Sequence, residues 1–199
     1  MVKNRFLLVI ALSVLTVCAA AQSETTEGKK PFRFMVKGGV SAVCEEDFYY
    51  YSTYGIGANV AGYVEMPMSK KNDRWKVSLG LKLNNKNLNG GNFDANMLFL
   101  DVPLLFSYDF YLRENTDLRL SFGLYYERYM SGKVRATEIA GGMRPSTDAS
   151  GLVYLKHNGG LTVGLGFMFK DFYFGADMDV NYFYEDFMFV TSASVGYRF

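Results

Sequence analysis

The sequence predicts an all-β protein, an eight-stranded antiparallel up-and-down transmembrane β-barrel. Three observations predict it. Larger apolar residues alternate with polar or small ones through eight separate runs, and a period of two means strands with two unlike faces. Charged residues inside those runs fall on the face opposite the aliphatic stripe, with Arg128 the exception. Aromatic residues collect at the run ends in two groups: Phe34, Trp75, Tyr108, Phe169, Phe172 and Tyr197 at one, Tyr126, Phe187 and Phe189 at the other. Two aromatic girdles around an apolar band suit a barrel that crosses a bilayer.

The runs follow in order. The first sets Phe32, Phe34, Val36, Val40 and Ala42 against Arg33, Lys37 and Ser41, and a loop is expected from Cys44 to Tyr54. The second, Gly55 to Met66, alternates Ile56, Ala58, Val60 and Val64 with Gly57, Asn59, Tyr63 and Glu65; Pro67 and the polar Ser69–Asp73 then turn the chain. The third is the cleanest, with Trp75, Val77, Leu79, Leu81 and Leu83 against Lys76, Ser78, Gly80, Lys82 and Asn84, followed by a Gly/Asn-rich loop to Asn96. The fourth runs from Met97 to Tyr108, and Arg113–Asp117 turns it into the fifth, Leu118 to Glu127. A long polar connection, Ser131 to Asn158, leads to the sixth, Leu161 to Phe169. Only Lys170-Asp171 precedes the seventh, which starts at Phe172. Residues flanking a two-residue hairpin share a face, as Phe169 and Phe172 do here, and because Lys-Asp is a poor type I′ pair a longer loop is the alternative. The eighth runs from Phe187 to Phe199. Connections after runs two, four and six read as short, and those after one, three and five as longer.

The start of the chain has the form of a secretory signal. Lys3 and Arg5 give a positive start, Phe6–Val17 is apolar, and Ala19-Ala20-Ala21 offers a cleavage site. Residues 1–21 are therefore expected to be a signal peptide, 22–31 a flexible periplasmic leader, and 32–199 the barrel. With the signal removed, Cys44 is the one cysteine left and has no partner for an internal disulfide. A formal net charge of +1 argues against a nucleic-acid partner.

Alternation alone does not say which face is inside. A soluble barrel would put the apolar face inward and the charges outward. The signal and the girdles favour the inverse arrangement, in which an Arg or Lys on the lipid face near midplane would cost about 2–4 kcal/mol. The predicted lumen set is then an ionic network of Arg33, Lys37, Glu65, Lys82, Asp101, Arg119, Glu127, Asp177 and Arg198, with Lys76 and Asp179 on the same face. An eight-stranded barrel is narrow enough for side chains to fill, so the network reads as a plug rather than a pore. A carboxylate pair of Glu65 with Asp101 is the alternative use of those acids.

No catalytic, metal or cofactor site is predicted. His157 is the one histidine, and Asn158-Gly159 follow it, which lacks the His-x-Ser pair of lipid deacylases. One His and one Cys make no chelating cluster, and the Gly-rich pieces precede no helix. Partner binding falls instead to the connections, through Tyr49, Tyr50 and Tyr51 in one and Arg135, Glu138 and Arg144 in another. The expected function is non-enzymatic, through loops or rims; the alternatives are a lipid-modifying enzyme and a small-solute porin.

The last run, with Val195, Tyr197 and Phe199 on one face, resembles the terminal strand of bacterial outer-membrane barrels. That likeness implies an assembly signal in those three residues, read by the barrel assembly machinery, a location in the outer membrane, and outer-membrane lipid as surroundings. Phe99-Leu100-Asp101-Val102-Pro103-Leu104-Leu105 with Ser107-Tyr108 resembles the "YLEIPLL" strand of PorT-like outer-membrane β-barrel proteins, with Phe for the usual Tyr and Asp101 for the usual Glu. Gly57–Pro67, Gly164-Leu165-Gly166-Phe167 and Tyr197-Arg198-Phe199 are similar to further motifs of that family. The resemblance implies the fold and the location. It implies a secretion-accessory role only as one use among many for that fold.

Overall fold

The computed structural model describes residues 32–46, 52–68, 73–89, 93–136, 147–148, 157–183 and 186–199. Eight long strands form the wall: β1 (Arg33–Glu46), β2 (Ser52–Pro67), β3 (Trp75–Asn89), β4 (Phe93–Arg113), β5 (Thr116–Ala136), β7 (His157–Phe169), β8 (Phe172–Phe183) and β9 (Asp186–Arg198). The two-residue β6 (Thr147–Asp148) pairs with the end of β5. Each wall strand pairs antiparallel with its sequence neighbours, and β1 pairs with β9 from Met35↔Arg198 to Glu46↔Phe187. That pairing closes the sheet into a barrel with no free wall edge. The predicted fold class is the one found.

Closure leaves two surfaces, and the sequence pattern decides which is which. Val40, Ile56, Val60, Leu79, Phe122, Leu124, Leu161 and Val163 point outward and are at least half exposed. Lys37, Glu65, Lys82, Asp101, Arg119 and Glu127 point inward and are buried. The barrel is thus inside-out relative to a water-soluble one.

One end carries the tight hairpins. Arg113 pairs with Thr116 around Glu114-Asn115, with Asn115 at φ 62°, and Phe169 pairs with Phe172 around Lys170-Asp171, with Lys170 at φ 55°. The two-residue hairpin read from Phe169 and Phe172 is formed, and the alternative longer loop is not. A left-handed Lys170 makes the turn instead, and its N–H donates to the Asn115 carbonyl of the neighbouring hairpin at 2.8 Å. Arg198 N–H likewise donates to Asp171 O, and Phe199 N–H to Phe34 O, both at 2.7 Å. These bonds tie the hairpins to the closing seam.

At the other end, the loop end, the strands run further than the alternation of apolar-outward residues predicts. β1 reaches Glu46, β3 reaches Asn89, β4 starts at Phe93 and β5 ends at Ala136. The β3–β4 connection is therefore residues 90–92, and the expected long connection there is absent. The physical reason is a change of faces. Past the apolar band, Val43, Leu88, Ala95, Met97, Phe99 and Val190 turn inward as a buried cluster, while Asn85, Asn87 and Asn96 lie on the outer face. That is the pattern of an ordinary soluble sheet. Only the connection across 137–156, with β6 inside it, is long.

The β3–β4 ladder has a gap. Between Leu79↔Leu104 and Lys82↔Asp101 the β3–β4 register skips Gly80, Leu81, Val102 and Pro103. Pro103 has no N–H to give to a ladder. Gly80 there lets the Tyr63 ring lie flat on the wall: a Cβ would come within 2.5 Å of the ring.

Candidate functional site: the filled lumen and its rims

The period of two delivers ionisable residues from successive strands to one enclosed column. Nearest the hairpin end lies a four-residue cluster. Arg119 of β5 donates to Asp109 through Nε at 2.7 Å and through Nη2 at 3.0 Å, and its other edge meets both oxygens of Glu65. Lys76 of β3 donates to the same Asp109. Two bases and two acids alternate, all buried. A planar guanidinium held by carboxylates on two sides is the geometry that makes a buried Arg tolerable.

In the middle, Lys37 of β1 lies 3.7 Å from Asp177 and 3.8 Å from the centre of the Tyr173 ring. Tyr173 sits across Gly166 and Gly175, where any Cβ would overlap it. Lys82 donates to Asp179 and lies 3.9 Å from Asp101. Toward the loop end, Lys86 donates to Glu127 at 2.5 Å with its ammonium 4.5 Å from the centre of the Phe99 ring, and Asn181 adds a 3.4 Å bond to Glu127. Beyond them the inward apolar cluster of β1, β3, β4 and β9 seals the column. Between the layers is a cavity of about 20 Å³, lined among others by Asp101, Tyr125 and Asp179. That is room for about one water molecule, so the lumen is packed rather than open.

Asp101 is the least satisfied member. Its Oδ2 accepts a 3.5 Å bond from Asn84, its Oδ1 has no partner, and the Tyr125 hydroxyl also has none. In register Asp101 stands directly between Lys82 and another acid, Glu127. Glu65 and Asp101 do not share a partner: Glu65 is bound to Arg119, so the structure does not make them a working carboxylate pair.

Of the residues assigned to the lumen from sequence, Lys37, Glu65, Lys82, Asp101, Arg119, Glu127 and Asp177 line the interior. Arg33 and Arg198 do not join them. Arg33 faces Asp73, 3.4 Å away with both side chains over a third exposed, and Arg198 donates to the Lys170 carbonyl at 3.1 Å beside Asp171. Both lie at the hairpin rim, where the strand runs out. Lys86 was missed because it lies past the apolar-outward stretch, between the outward Asn85 and Asn87, and Asp109 because the fourth run was ended one residue short of it although Phe110 and Leu112 continue the outer apolar face. For Lys86, a polar side chain at every second place (Lys82, Asn84, Lys86) was the available signal.

The hairpin rim carries edge-to-face aromatic pairs: Trp75 with Tyr108, Tyr108 with Phe110, Phe172 with Tyr197, and Tyr197 with Phe199. Val195, Tyr197 and Phe199 are exposed on the outer face there. At the other rim Tyr126 stacks on His157, and its hydroxyl is hydrogen-bonded to Nδ1. Arg135 lies within β5, paired with Asp94, and not in a loop. Tyr49, Tyr50, Tyr51, Glu138 and Arg144 lie outside the described residues, as do the signal and leader. Among the described residues no group of His, Cys, Asp and Glu could hold a metal ion.

No family model matches the chain, and no curated protein matches it. Solved structures do. The fold is similar to that of Ail, the attachment invasion locus protein of Yersinia pestis, with 15% identity over 84% of this chain and 99% of that one and a TM-score of 0.51. It is also similar to Neisserial surface protein A, with 12% identity over 83% of this chain and 97% of that one and a TM-score of 0.51. The class this defines is the closed eight-stranded barrel of outer-membrane proteins. At these identities the likeness is one of fold.

Proposed function

We propose that the protein is an integral outer-membrane β-barrel of the PorT-like kind that acts without catalysis, through its loop-end connections or its rims. The observation that carries this reading is the inversion of faces: charges satisfied inside, an apolar band outside, and ordinary soluble polarity resuming at the loop end. Such a band has no stable place in water, and a wall with every strand paired is the β-structure a bilayer admits. The filled lumen supports a scaffold over a porin. His157 is bonded to Tyr126 on the outer face, which supports a structural use of that residue over a deacylase-like one. The connections carrying Tyr49–Tyr51 and Glu138–Arg144 are then the surfaces for a protein partner, as a surface-interaction or secretion-accessory role requires.

Two measurements test this. The protein should fractionate with the outer membrane and resist extraction by alkaline carbonate; release as a soluble protein would contradict the location. The lipid A mass spectrum of a strain lacking the protein should match that of its parent. A lost or gained acyl or phosphate group would favour the lipid-modifying enzyme instead.

A further inference from the structure

The outer face carries one feature that a lipid-facing wall does not need. On its loop-end half, the described basic side chains are Arg128 and Lys133, both on β5 and both exposed. A regular strand that places Arg128 outside would place Lys133 inside. The register shift at Leu98/Phe99 prevents this: Tyr129 pairs with Phe99, Ser131 with Leu98, and Met130 is skipped. Bulges of this kind re-aim side chains, and this one returns Lys133 to the face of Arg128.

Arg128 is flanked in register by Leu100 on β4 and His157 on β7. It therefore sits where the apolar band ends, one step above Tyr126. The Tyr126 hydroxyl and His157 Nδ1 share a hydrogen bond whose direction follows the tautomer; when Tyr126 donates, the imidazole carries its proton on Nε2 and offers a second donor beside the guanidinium. Arg128 and His157 stand directly opposite one another across the β5–β7 pair, close enough for one ligand to meet both. Lys133 is flanked in register by Asn96, and Arg128 with His157, in directly opposed positions, make the primary pair.

We propose that Arg128 and His157, with Lys133 beyond them, hold the phosphate of an anionic lipid at the loop-end border of the apolar band. Guanidinium pairs with phosphate through two parallel hydrogen bonds, and the border of the hydrocarbon is where such a head group lies. This inference rests on the membrane reading above, and the experiment separates the two.

The full chain is folded into phosphatidylcholine nanodiscs containing a trace of lipid A, either phosphorylated or enzymatically dephosphorylated. Lipid retained by the protein on transfer to detergent is counted by mass spectrometry. Failure of the native protein to insert into discs of phosphatidylcholine alone would overturn the membrane reading and this site with it. Given insertion, the phosphorylated lipid should be retained in preference to the dephosphorylated one. The double variant Arg128→Gln with His157→Gln should insert equally well and retain roughly tenfold less, while Lys170→Gln at the hairpin end changes nothing. Equal retention of the two lipids, or retention unchanged by the double variant, would overturn the proposal and leave Arg128 for a protein partner.

Discussion

Two arginines in this barrel look alike in sequence, each one place into or beside an aliphatic run, yet they should behave differently. Arg119 is 4% exposed and bound to Asp109 and Glu65. Arg119→Ala leaves two buried carboxylates short of a partner, and a loss of about 3–5 kcal/mol is expected. Arg33 faces a half-exposed Asp73, so Arg33→Ala should cost about 0–1 kcal/mol. Urea unfolding of both variants in lipid vesicles checks the contrast; equal losses would contradict the buried network. Among the acids, Asp101→Asn should be the mildest, because Asp101 Oδ1 has no partner to lose and Glu127 stands opposite. Asp179→Asn breaks a direct bond to Lys82 and should shift the unfolding midpoint further. The inward position of most of these residues was legible in the alternation. Which acid each base chooses was not, because partners such as Lys82 of β3 and Asp179 of β8 meet across the lumen, 97 residues apart in sequence.

At the scale of elements, the sequence reading succeeds where a strand faces hydrocarbon and fails where it leaves it. The third run was ended at Asn84 because Asn85, Asn87 and Asn89 look like loop residues; in the sheet they are the outer face of β3, with Leu88 buried within. The same reversal hid the first residues of β4. Turn chemistry misled in the other direction. Lys170-Asp171 closes the β7–β8 hairpin in two residues because Lys170 takes φ 55°. A side chain there costs about 1–2 kcal/mol of backbone strain that glycine avoids. Lys170→Gly should therefore raise the unfolding midpoint modestly, and Lys170→Val lower it; no difference between the two would contradict the turn.

At the scale of the molecule, closure and strand number were legible because they follow from local alternation repeated eight times, and the direction of the faces was legible from the aromatic girdles and the signal-like start, not from alternation. The expected inequality of connections was legible only in part. Residues 90–92 join β3 to β4, while 137–156 separate β5 from β7, and a loop's length is set by how far pairing continues, not by its polarity. What the connections bind was not legible at all, since binding residues there follow no period. The packed lumen predicts that the protein in planar bilayers shows no large, steady conductance; a stable open channel would contradict the plug. The direction of the faces is tested most directly by single cysteines along β5, in a background with Cys18 and Cys44 both changed to Ser, folded into vesicles. A fluorophore at Leu120, Phe122 or Leu124 should be quenched by brominated lipid chains, and one at the inward Ser121 or Tyr125 should not. Quenching that ignores the alternation, or that favours the inward positions, would contradict an inside-out barrel spanning a membrane.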